Sequence, residues 1–270
     1  MLVDAHLHCT GRETAADVLR ALDEAGVERG VLLAPFLSEG FSLHDGDSLR
    51  AANRHLATLV AGHEDRLVGL AVVNPALPLA ARDAQEALEG LRLRGLKLVP
   101  SGWYPYDDCA HEVYAVAAQA RAPILFHSGI FIDGRSGRFC RPAFYEAVRD
   151  HPGLRVTLAH LGWPWTDEAN ALGLIDRING VLPDQSQFRF DISFGPPPAY
   201  REQVLRLALD VLGAPLMQFG SDCFLPCGGQ EIARRIGEVR ALMDRLDVAP
   251  TDRERIFAGT AQAWLHTPAQ

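Results

Sequence analysis

Eight short runs rich in Val, Ile and Leu alternate with amphipathic stretches, and their starts lie about 26 to 37 residues apart along the chain. That interval is the length of one strand-plus-helix unit, and continuous apolar character suits strands covered on both faces, as in a parallel sheet. The runs occupy residues 2–8, 30–35, 66–75, 95–100, 123–129, 154–162, 188–194 and 215–223. Eight such units predict an α/β fold of the (β/α)8 TIM-barrel type. An open doubly wound sheet would carry a glycine-rich phosphate loop after its first strand, whereas HCTGRET offers a single glycine. The 270 residues, 48% of them hydrophobic, suffice for one large core, and no Pro- or Ser-rich linker divides them, so one domain over 1–270 is expected.

The helices carry their own punctuation. The stretch 14–25 ends at Gly26, a residue that tolerates the left-handed C-terminal position. Further helices are expected within 50–63, 81–91, 111–122 and 143–151. Thr251 and Glu254 have the spacing of a capping box, which would open a closing helix that runs to Leu265.

A net charge of -8 and a pI near 5.7 give nucleic acid or an anionic membrane little to hold, so a small-molecule partner is expected. Without a long apolar run or a signal-like N-terminus, the expected location is the cytoplasm. Five cysteines with no CxxC spacing fit reduced thiols there.

In a barrel of this kind the chemistry gathers at the C-terminal strand ends. His6 and His8 close the first run, two apart and on one face of a strand. Lys97 lies in the fourth run, His127 closes the fifth, His160 stands in the sixth and Asp222 closes the eighth. Each alone has an ordinary explanation: a hydrogen-bonded core histidine, a turn-capping aspartate, a paired lysine. Together they are better explained by a shared cation, because each would be costly to bury unpaired. Neutral imidazoles and a carboxylate suit Zn2+, with Mn2+ or Fe2+ as alternatives.

The segments DAHLH, GLKLVP, ILFHSG, LAHLGWPW and GSD resemble the amidohydrolase superfamily. RAANRHLATLVAGHEDRLVGLAVVNP and HLGWPWTDEA narrow the resemblance to its amidohydrolase-related branch, which also contains non-oxidative decarboxylases. It covers residues 2 to about 265. The resemblance implies that His6, His8, His127 and Asp222 bind a divalent metal, with His160 as a second ligand or an acid/base. Lys97 stands where part of the superfamily carries a carboxylated lysine between two metals; in this branch one ion is favoured. A homodimer is implied as well. The chain departs from the family in Cys223-Phe224 after GSD and in Gly259-Thr260-Ala261 near its end.

Arg135, Arg138 and Arg141 follow the fifth run, where an arginine fork would suit a carboxylated substrate. The bland alternative is that at least two of the three are solvated or pair with local Asp and Glu. Trp103, Tyr104 and Tyr106 follow the fourth run, and Trp163 and Trp165 the sixth, as candidate walls for a ring or as packing. Cys223 and Cys227 fit packing better than ligation. The leading expectation is a metal-dependent hydrolase that activates water against an amide, lactone or ester of a small cyclic or carboxylated substrate, with Asp222 or His160 taking the proton. A decarboxylase of an aromatic or unsaturated acid is the second reading, and a non-catalytic metal-binding barrel the third.

Overall fold

The computed structural model describes residues 1–193 and 195–266; Phe194, the last residue of the expected seventh strand, and 267–270 lie outside it. Among the described residues one parallel sheet of nine strands forms: β1 (Val3–His8), β2 (Arg29–Leu33), β3 (Leu67–Val73), β4 (Gly95–Leu98), β5 (Ile124–Phe126), β6 (Val156–Leu158), β7 (Phe188–Asp191), β8 (Met217–Gln218) and β9 (Cys223–Phe224). The order β8-β7-β6-β5-β4-β3-β2-β1-β9 follows the chain except at its end, where β9 lies beside β1. Backbone N–H groups of Ala5 and Asp222 donate to Phe219 and His6 carbonyls at 3.0 and 2.9 Å, which ties the eighth run to the first and closes the barrel. No described helix is long and apolar enough to cross a membrane.

The eighth run is therefore broken rather than continuous over 215–223. Residues 214–216 form a 3-10 turn and Phe219–Asp222 leave the ladder. A Cβ on Gly220 would sit 2.6 Å from the Cβ of His6, so only glycine admits this approach. Asp222 then adopts a left-handed backbone, φ 58°. The sixth run is shorter than expected for a similar reason. β6 stops at Leu158, and His160 and Leu161 turn left-handed at φ 61° and 50°, which aims the imidazole across the mouth of the barrel.

β1 contains an extra residue that the sequence does not announce. Asp4 pairs with Gly30 but Leu7 with Leu32, so Ala5 and His6 together oppose Val31 alone. Val3 and Ala5 belong to the inner apolar cluster with Val31, Leu33, Val68 and Leu70, whereas Leu7 belongs to the outer layer. The bulge thus exchanges faces between the floor of the barrel and its mouth, and His6 and His8 take over the inward positions.

Helices α1 (Ala15–Ala25), α2 (Gly46–Val60), α3 (Ala80–Gln85), α4 (Asp108–Gln119), α5 (Thr166–Ile178), α6 (Pro198–Val211) and α7 (Gly229–Arg245) accompany the strands. The Thr14–Asp17 capping box and left-handed Gly26 bound α1. The expected helix over 143–151 is instead a 3-10 segment, Pro142–Asp150. The capping box expected at Thr251 does not form. Ala249 is the N-cap and Pro250 opens α8 (Pro250–Glu254), because its fixed φ already fits the first helical position. A π-turn joins α8 to α9 (Thr260–Leu265), whose Trp264 and Leu265 fill the floor of the barrel.

Candidate metal centre

His6 and His8 project from the end of β1, and Asp222 reaches back from the break in the eighth strand. His6 Nε2 and His8 Nε2 lie 3.1 Å apart, and Asp222 Oδ1 lies 3.3 and 3.0 Å from them. These three form the only group of three or more His, Cys, Asp or Glu among the described residues whose donor atoms converge as a cation requires. Asp191, on β7, sets the tautomer. Its Oδ2 accepts from His6 Nδ1–H at 2.8 Å, so a neutral His6 presents a bare Nε2 lone pair to His8 and Asp222. A proton on His8 Nε2 can serve both neighbours, and a cation can replace it.

The titration of the site fits that role. Burial pushes His6, His8, His127 and His160 below the usual imidazole range, so they are neutral near pH 7. Burial works to raise Asp222 as well, but His6 and the hydrogen bond from His8 outweigh it and hold the carboxyl well below its usual range. Uncharged nitrogen donors around an ionised carboxylate are the forms that ligate metal.

His160 faces this group, its ring 5.4 Å from that of His6. Ser193 Oγ lies 2.9 Å from His160 Nδ1 and donates its own proton to Asp191 Oδ1, which leaves Oγ to accept from Nδ1–H. His160 Nε2 is thereby the unprotonated nitrogen, able to take a proton. His127 sits beside His160, rings 5.1 Å apart, but stands outside the three-donor group: its Nε2 donates to the Ile130 carbonyl at 2.9 Å. Lys97 Nζ lies 3.4 Å from His6 Nε2; burial lowers its pKa to about 8 while Asp191 and Asp222 pull it back upward.

Neither Asp191 nor Ser193 is among the site residues expected from sequence. Asp191 bore the same mark as the others, an ionisable group at the end of an apolar run, FRFD. Ser193 carries no comparable mark.

A family model described as amidohydrolase matches residues 3–267. The chain belongs to the amidohydrolase family. A search of curated proteins finds no match to it by sequence. Among solved structures, a 2,6-dihydroxybenzoate decarboxylase from Rhizobium is 17% identical with a TM-score of 0.67, the match covering 98% of each chain. A 5-carboxyvanillate decarboxylase from Novosphingobium aromaticivorans, with bound manganese, is 18% identical at TM-score 0.64, covering 92% of this chain and 80% of that one. A probable 2-pyrone-4,6-dicarboxylic acid hydrolase from Acinetobacter baumannii is 14% identical at 0.63, covering 98% of each. At such identities these likenesses show the fold alone.

Above the three donors this amidohydrolase has a cavity of 350 Å3, lined by His8, Lys97, His127, His160 and Asp222 below and by apolar side chains around. Phe224 stacks on His8 at 4.6 Å, and the Phe36 ring lies 5.5 Å from that of His8. Of the expected substrate-binding residues, Trp163 lines the cavity; Trp103, Tyr104, Arg135 and Arg138 do not. Trp103 is buried in the core, and Tyr104 stacks on Tyr106 against Phe139 and Phe144. Asp133 caps the loop that carries these arginines, accepting from the backbone N–H groups of Arg135 and Ser136 at 2.8 Å and from Ser136 Oγ at 2.6 Å. Arg138 lies over Phe139, and Arg141 pairs with Glu168 beside Trp165. The bland alternative of local pairing therefore describes Arg141.

Proposed function

We propose that this amidohydrolase is a metal-dependent hydrolase that directs water at an amide, lactone or ester bond of a small cyclic or carboxylated substrate. The observation that carries the reading is the close approach of His6 Nε2, His8 Nε2 and Asp222 Oδ1, with Asp191 enforcing the ligating tautomer of His6. Such a group suits one divalent ion, Zn2+ first, with Mn2+ or Fe2+ as alternatives; His127 would join it by giving up Ile130. When bound, such an ion supplies Lewis acidity and brings the pKa of a coordinated water toward neutrality. The protein's share is to hold and move protons. His160 Nε2, bare and buried at the cavity floor, accepts a proton, and the Ser193–Asp191 relay steadies the imidazolium that results. Asp222, ionised, is the second acceptor.

The apolar wall of the cavity supports a second reading, decarboxylation of an aromatic or unsaturated acid, because a dry wall favours loss of a charged carboxylate as neutral CO2. The experiment is elemental mass spectrometry of the purified protein, followed by screens of lactones, esters and carboxylic acids for ring opening or CO2 release. About one ion per chain is expected, lost in His6→Ala and Asp222→Ala. Unchanged metal content and turnover in His6→Ala would sink the proposal, and CO2 release without net consumption of water would replace hydrolysis by the second reading.

A further inference from the structure

The 350 Å3 cavity is at the small end of the roughly 300–1,000 Å3 typical of small-molecule sites. Among its described lining residues Lys97 is the one lysine or arginine. The Lys97 side chain is almost wholly buried and makes no ion pair with a described carboxylate; its polar neighbour is His6 Nε2 at 3.4 Å. A buried ammonium with Asp191 and Asp222 near it but no carboxylate within ion-pair distance, at the wall of a cavity, can take a ligand's negative charge. Above the floor that His8, His127, Ser128, His160 and Asp222 form with Lys97, the wall is apolar. Phe36, Phe131, Ile132, Trp163 and Phe224 give a flat body ring contacts but offer nothing to a second charge. Arg135, Arg138 and Arg141, which could have read a second carboxylate, do not line the cavity, and Arg141 is paired with Glu168.

We propose that Lys97 anchors the anionic group of the substrate, and that the substrate is a compact monoanion with a planar apolar body rather than a di- or tricarboxylate. The inference rests on the metal-dependent reading only for which bond reacts; the anchoring itself needs Lys97 and the wall. A second carboxylate turned toward Phe131, Trp163 or Phe224 would meet half-buried or exposed aromatic faces with no hydrogen-bond donor, and would give up hydration for contacts that return little. Asp222, in the same cavity, adds repulsion that one carboxylate beside Lys97 can tolerate and two cannot.

The test is titration calorimetry on the full chain, metal-free and zinc-loaded, with benzoate, benzamide and isophthalate as probes, and zinc content measured on the same samples. In metal-free protein, where zinc cannot hold the carboxylate, benzoate is expected to bind roughly tenfold tighter than either benzamide or isophthalate. Lys97→Met should abolish that preference while zinc content stays at the wild-type value. Equal binding of benzoate and benzamide by metal-free wild-type protein overturns the proposal, and that comparison decides it even if Lys97→Met fails to fold. A folded Lys97→Met that keeps the preference also overturns it. So does loss of zinc in that variant, since the lysine would then belong to the metal's own surroundings. Wild-type protein that takes up no zinc but prefers benzoate refutes the metal-dependent reading and leaves Lys97 as the anchor.

Discussion

Two carboxylates flank His6, one toward the floor of the barrel and one at its mouth, and they titrate in opposite senses although neither has any exposure. Burial raises Asp4, on β1, to about 7, more than its hydrogen bonds can offset. The same burial acts on Asp191, yet that carboxyl is held well below its usual range by His6 and by the His160 backbone N–H. The difference lies in partners. Asp191 accepts from His6 Nδ1–H, from the backbone N–H groups of His160 and Ser193 at 2.9 Å each, and from Ser193 Oγ. Asp4 accepts at one oxygen, from Ser221 and His6 N–H at 2.9 and 3.2 Å, while its Oδ2 finds no partner among the described residues. A charge is tolerated in the barrel where donors converge on it, and those donors converge where His6 and His160 must be aimed.

The largest effect that would sharpen this contrast comes from Asp4→Asn, which removes one titration and keeps the shape. With a folded pKa near 7 against 3.8 unfolded, wild-type protein holds a proton in the folded state that the unfolded chain has released. Stability from this group therefore falls as pH rises from about 4 to 7 and is level above, a total of about 4 kcal/mol at most. The lowered imidazoles slope the other way, stability being lost as pH falls below 6.5, but they are common to both proteins. Thermal melts should show the variant gaining on wild type between pH 4 and 7. Parallel curves would mean that Asp4 is ionised in the fold and that its oxygen is not an orphan.

Asp191→Asn should act on the metal rather than on the fold. The His160 and Ser193 N–H groups demand an oxygen at the Oδ1 position, so the new amide N–H2 faces His6 Nδ1. His6 then moves its proton to Nε2, the nitrogen aimed at His8 and Asp222. Zinc affinity is expected to fall about 10- to 100-fold with the circular dichroism of the folded protein retained. An unchanged dissociation constant would show that the tautomer is not set by Asp191.

The same contrast marks what could be read from sequence. Strand periodicity placed the βα units, and an ionisable residue in an apolar run located His6, His8, Lys97, His160 and Asp222 near one mouth, because both signals are local. The β1 bulge and the break at Gly220 depend on a contact between residues 6 and 220 that no local pattern encodes. Loop arginines were legible as charges but not as contacts, since Arg138 lies over the Phe139 ring and Arg141 pairs with Glu168 on a different segment. Asp191 carries the same local mark in FRFD, and Arg189 two residues before it is the nearest opposite charge in sequence. Arg189 instead donates to the Ser186 and Phe188 carbonyls.

Ser193→Ala gives the smallest effect and the finest test of the mouth. It removes one of the four contacts on Asp191, leaving His6 Nδ1–H and two backbone N–H groups to keep the carboxyl ionised, so metal content should not change. What it releases is His160 Nδ1, whose proton loses the Oγ that accepts it. The cost is one hydrogen bond, about 1 kcal/mol or roughly fivefold in turnover, with substrate binding little affected. Nitrogen-15 spectra of the imidazoles separate this from a packing defect. Wild-type His160 should show a protonated Nδ1 and a bare Nε2, and the variant a mixture of tautomers; Ser193→Thr, which restores the hydroxyl, should restore the single form. Spectra identical in wild type and Ser193→Ala would show that the left-handed turn at His160 and its backbone hydrogen bond to Asp191 orient the ring by themselves, and that the four donors on Asp191 serve His6 alone.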